Sequence, residues 1–147
     1  MSESWISAKL RRLVQERAGN VCEYCLVSFV DFEVGFQIDH VIAEKHGGPT
    51  LDHNLCFTCM ECNLAKGSDI STLVQGDLVR LFNPRIDFWG EHFILNGPTI
   101  CSQTAAGAGT LRLLGINDPA RVGLRKMLIK AGRYPNAQAL RLIDRHA

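Results

Sequence analysis

The sequence predicts an α+β fold: short strands and a short helix gathered round a four-cysteine clamp, a helix before that unit and a mostly helical extension after it. Three observations predict it. Two C-x-x-C pairs, Cys22/Cys25 and Cys59/Cys62, stand with 33 residues between them. The stretch that follows the first pair is rich in β-branched and aromatic residues, the composition of half-buried strands. Both flanks carry apolar residues at helical spacing, bounded by capping residues and glycines.

The elements follow in order. Residues 3–18 read as a helix, with Ile6, Leu10, Leu13 and Val14 on one face and Gly19-Asn20 as the stop. Cys22-Glu23-Tyr24-Cys25 is the first knuckle. VSFVDFEVGFQIDHV, residues 27–41, reads as extended structure broken at Gly35. Lys45-His46-Gly47-Gly48-Pro49-Thr50 is a loop. Leu55–Phe57 is expected as a short strand, and Glu61–Lys66 as a helix ending at Gly67. Leu73–Phe82 is periodic and ends at Asn83-Pro84. A hairpin is expected within Phe88–Ile100, around Asn96-Gly97-Pro98, and Thr104–Leu114 reads as helix. Asp118-Pro119 is a cap and first-turn pair for a helix running to about Ala131, and Asn136–His146 is another. With no repeat and no linker, residues 1–70 form the clamped unit with its N-terminal helix, and residues 71–147 form an extension packed on it, hairpin plus helices.

At 147 residues the chain can bury a core without staples. No apolar run is long enough to span a bilayer, and MSESWISAKLRRLVQERAGN lacks the apolar core of a signal peptide. A cytoplasmic setting is therefore expected, in which six cysteines are thiols or metal ligands rather than disulfides. The net charge of +1 hides a split. Residues 108–147 carry eight basic and two acidic side chains, net +6, while residues 1–107 carry eight basic and thirteen acidic, net −5. Such a split suits a polyanion-binding end. The simpler reading is solvated arginines on helical faces.

The two C-x-x-C pairs supply four thiolates, the tetrahedral set of a structural Zn²⁺. Cys22, Cys25, Cys59 and Cys62 are the expected ligands. Cys56 also stands in a C-x-x-C, with Cys59, but belongs to the expected strand and packs as a small hydrophobe; Cys101 is isolated and reads as core. Trp5, Phe88, Trp89 and Phe93 are most economically core as well.

Between the knuckles Asp39 and His40 stand side by side at the end of the apparent strand, Asn54 follows fourteen residues after His40, and Asn63 directly follows the last cysteine. The set CEYC, IDHVIAEKHGG, LDHNL and CMECNLAKG resembles the HNH endonuclease family over about residues 17–68. The resemblance implies a ββα-metal unit of two strands and a helix round one divalent ion. It implies His40 as general base, Asp39 as a metal-binding carboxylate, Asn54 as the residue that ties down the loop, and Asn63 in the place of the family's last histidine. Where related sequences often have proline, this one has Ala43, which bears on loop stiffness.

The chemistry is consistent with that implication. Phosphodiester hydrolysis needs a deprotonated water and something to absorb charge on the leaving oxygen. A neutral imidazole can take the proton. A hard cation held by Asp39 and the Asn63 amide oxygen, Mg²⁺ or Mn²⁺, suits the second task. The plainer role for Asn63 is a cap on its short helix. Lys66, one turn further on, is a candidate contact to DNA backbone, as are Arg11, Arg12 and Arg17 and the basic extension; His46 and His53 read as solvated. The expected partner is DNA, with no membrane and no small-molecule cofactor. The alternative function is a zinc-stabilised DNA-binding or interaction module without turnover, for which the company of Asp39, His40 and Asn63 would have no use.

Overall fold

The computed structural model describes residues 5–146. Helix α1 (Ala8–Arg17) starts later than its periodicity suggests, because Ser7 caps it: the Ser7 hydroxyl accepts from the Leu10 amide at 3.1 Å. Residues 3 and 4 of the expected helix lie outside the described residues. Trp5 is 82% exposed, against the expectation that it is core. The buried face of α1 carries Val14, which joins Ile6, Ala18, Leu55 and Phe57 in one apolar cluster.

The aromatic stretch after the first knuckle pairs much less than expected. Only β1 (Gln37–His40) is strand; Ser28 instead caps a single tight turn, Phe29–Asp31. Phe36 packs its ring on Phe29 and on Phe32, and Phe29 and Phe36 pack on Phe57, so their bulk serves a cluster rather than a ladder. β1 runs antiparallel to β2 (Leu55–Thr58), with Asp39 opposite Cys56 and His40 opposite Leu55. The chain then turns directly into α2 (Met60–Lys66). From α1, the Arg17 guanidinium donates to the carbonyls of Asp52 and Leu55 at 3.0 and 2.8 Å, bracing the entry to β2. This gives Arg17 an internal task.

The extension holds two hairpins where one was expected. β3 (Ser71–Val74) and β4 (Asp77–Arg80) are joined through Gln75-Gly76, both at positive φ, the geometry of a tight primed turn. The periodicity of Leu73–Phe82 is thus that of a ribbon. After α3 (Trp89–His92), the expected hairpin forms as β5 (Phe93–Asn96) and β6 (Thr99–Ser102). Helices α4 (Ala105–Leu113), α5 (Pro119–Lys130) and α6 (Ala137–Asp144) follow. Thr104 and Asn136 cap α4 and α6 with their side chains; Asp118 stands at the cap of α5 without such a bond. A Cβ at Gly107 would meet the His92 carbonyl oxygen at 2.4 Å, so this helical glycine lets α4 lie against α3.

One core joins the two segments. Val21, Cys22, Tyr24 and Val41 share a buried cluster with Phe82, Trp89, Phe93, Ile100, Leu114, Ile116 and Tyr134. Polar contacts cross as well. The Trp89 indole donates to the Tyr24 carbonyl at 2.9 Å. Glu23, inside the first knuckle and 4% exposed, accepts from the Phe57 amide at 3.0 Å and is paired with Arg85. Burial pushes the Glu23 carboxyl up, and Arg85 opposes that.

Part of the basic extension is spent on this docking. Arg125 is 1% exposed and donates to the carbonyls of Pro98 and Ile116. Arg112 reaches Thr72 and the Leu73 carbonyl, and Arg133 pairs with Asp31. Within the extension expected to meet DNA backbone, Arg125 is therefore not free to neutralise phosphate, because internal carbonyls consume its guanidinium. Lys126 and Lys130 are exposed.

Candidate active site and zinc centre

The four cysteines of the two knuckles converge. The sulfurs of Cys22, Cys25, Cys59 and Cys62 lie within 4.8 Å of one another, all four residues buried, with Cys25 and Cys59 Sγ 3.6 Å apart. A zinc–sulfur bond of about 2.3 Å gives a tetrahedron with edges of about 3.8 Å, so the donor set fits Zn²⁺ in size and chemistry. Cys56 is buried outside the cluster, and burial pushes its thiol up. The knuckle also starts a helix: Cys59 is the N-cap of α2, its sulfur accepting from the Cys62 amide at 3.4 Å. Since Cys59 caps α2, Asn63 does not. It lies in the second turn, half-buried, and makes no side-chain hydrogen bond among the described residues.

The opposite end of the unit carries Asp39 and His40, whose side chains keep 12% and 11% exposure. Asn54 fixes the loop beyond them. It is 4% exposed, its amide nitrogen donates to the carbonyls of Ile42 and Pro49, both at 2.9 Å, and its oxygen accepts from the Ile42 amide at 3.0 Å. A Cβ on Gly48 would stand 1.8 Å from the Ile42 carbonyl oxygen and 2.7 Å from Asn54 Nδ2. Only glycine lets the loop close this tightly. Within the loop, His40 Nε2 lies 2.9 Å from Thr50 Oγ1 and 3.4 Å from Glu44 Oε1. Thr50 and Glu44 were not singled out from the sequence, although Glu44 follows His40 by four residues.

Lys66 departs from expectation most clearly. It is 2% exposed, and its ammonium donates to Asp39 Oδ2 at 2.9 Å and to the His40 carbonyl at 3.1 Å. The DNA-backbone contact needs an exposed lysine; this one is internal and joins α2 to β1. Asn63, three residues earlier, shares the face of α2 on which Lys66 lies. His46 and His53 are exposed, as expected of solvated loop residues.

Residues 22–69 match the family model described as HNH endonuclease. This segment is an HNH domain. The match opens on the first zinc-knuckle cysteine and closes just beyond α2, so it contains both cysteine pairs, both strands, Asp39, His40, Asn54, Asn63 and Lys66. The HNH match over this segment supports a nuclease or DNA-interacting role. Neither the curated proteins nor the solved structures contain a match to this chain. Among the described residues no helix is long and apolar enough to cross a membrane.

Proposed function

We propose that the HNH domain hydrolyses DNA phosphodiester bonds, with His40 as general base and one divalent ion, Mg²⁺ or Mn²⁺, at Asp39 and Asn63. The observation that carries this reading is the setting of His40, its ring engaged at Nε2 on a loop pinned by Asn54. With Nε2–H donated to Thr50 Oγ1 or to the Glu44 carboxylate, Nδ1 holds the lone pair that accepts the proton of an attacking water. Thr50 and Glu44 then orient the ring, and the Glu44 carboxylate stabilises the imidazolium that results. Asp39 and the Asn63 amide offer the oxygens for a hard cation. The ion would stabilise the scissile phosphate and the departing 3′ oxygen. Lys66 donates to Oδ2 of Asp39 and fixes that carboxylate. A cytoplasmic setting goes with this reading.

Incubating the purified protein with supercoiled plasmid in Mg²⁺ or Mn²⁺, with EDTA as control, tests the reading. Relaxed or linear product that disappears with EDTA is the expected outcome. Retention of DNA without cutting in either metal would favour a zinc-stabilised binding module. Titration of Mn²⁺ into wild type, Asn63→Ala and Asn63→Ser tests the ligand assignment, with weaker binding expected in both variants. Equal affinity in all three would remove Asn63 from the site.

A further inference from the structure

The C-terminal extension delivers a cation to the zinc knuckles. Arg121, in the first turn of α5, lies with Nη2 2.9 Å from Cys62 Sγ and 3.9 Å from Cys59 Sγ, while its Nη1 donates to the Leu114 carbonyl at 2.7 Å. From the segment after α5, the Tyr134 hydroxyl donates to the Cys25 carbonyl at 2.8 Å. Three of the four zinc-binding cysteines are thus touched by residues that lie some 60 to 110 positions away in the chain. None of these contacts lies within the matched HNH segment.

We propose that Arg121 is a positioning cation for the zinc centre, so that zinc occupancy and docking of α5 hold each other in place. Zn²⁺ bound by four thiolates carries a net charge of −2 in a buried site, whereas four protonated thiols carry none. A guanidinium 2.9 Å from one sulfur therefore stabilises the loaded site far more than the empty one. Reciprocally, the loaded site supplies the counter-charge for the half-buried Arg121; without it the guanidinium faces neutral sulfur. Arginine suits the position because its fork serves the Leu114 carbonyl and the Cys62 sulfur at once, which the single nitrogen of lysine cannot do. The inference stands on the thiolate cluster and is independent of whether the domain cuts DNA.

The test uses full-length, zinc-loaded protein as wild type, Arg121→Met, Arg121→Lys and Arg133→Gln. Zinc transfer to a chromophoric chelator is followed at fixed pH, and amide exchange across residues 118–131 is followed before and after zinc removal. Arg121→Met should release zinc at least about ten-fold faster, the usual scale for losing an outer-shell partner. Arg121→Lys should fall between it and wild type, and Arg133→Gln, whose partner is Asp31, should match wild type. Zinc removal should deprotect α5 in wild type, and Arg121→Met should deprotect it with zinc still bound. Wild-type release from Arg121→Met, or α5 exchange indifferent to zinc, overturns the proposal. Should Arg121→Met not fold, Arg121→Lys decides, and wild-type release from it overturns the proposal equally.

Discussion

The two ends of the HNH unit are held in opposite ways. At the zinc end, four buried sulfurs converge within 4.8 Å, and Arg121 and Tyr134 close over them from the extension. At the His40 end, the holding contacts come from within the unit itself: Thr50 and Glu44 on the ring, Asn54 across the loop, Lys66 on Asp39. The first end is sealed from water and the second is partly open to it. A structural metal gains from exclusion of solvent, whereas a hydrolytic site must admit both water and a charged backbone. The same short helix serves both, since Cys59 and Cys62 at its start complete the four-thiol cluster and Lys66 at its finish holds Asp39.

The comparison breaks most severely at the sealed end. Cys62→Ala, or exhaustive chelation, should unfold residues 22–69, because a structural zinc contributes on the order of 10 kcal/mol. Circular dichroism with elemental analysis checks this, and Cys56→Ser should retain one zinc per chain. At the open end, His40→Ala should lower plasmid cleavage by about 10²–10⁴-fold while zinc content and melting temperature stay close to wild type. Loss of folding in that variant would mean the two ends are not separable. Lys66→Met takes the ammonium away from a mostly buried carboxylate and should cost about 3 kcal/mol or more of stability. Its DNA affinity should keep the wild-type salt dependence; a slope shallower by about 0.9 would restore the phosphate contact instead. Asn54→Ala leaves two carbonyls and one amide without their partner and should cost about 1–3 kcal/mol, seen in thermal melts, with a partial loss of cleavage.

Much of the sealed end was legible in the sequence. Paired cysteines at knuckle spacing admit few readings, and Gly67, Thr104 and Asn136 mark helix boundaries through their own backbone preferences. The open end was legible only as letters. Asp39, His40, Asn54 and Asn63 could be named, but the Glu44 and Thr50 contacts depend on how the loop folds back, which local pattern does not encode. Lys66 and Arg125 were misread for a shared reason. Their charge suggests solvent, and only tertiary packing supplies the Asp39 carboxylate and the carbonyls that let each be buried. The β3–β4 ribbon was missed because Gln75 takes a positive φ that glutamine does not advertise.

The pairing of Glu23 with Arg85 has a consequence for modularity. The family match spans residues 22–69, which suggests a cassette that could be cut out and fused to a different protein. Glu23 falls inside that cassette and Arg85 outside it. A transplant would carry a buried carboxylate away from its guanidinium and would leave behind Arg17, which braces β2 from the other side. In this chain the HNH signature is short, but the smallest transferable piece is longer than the signature.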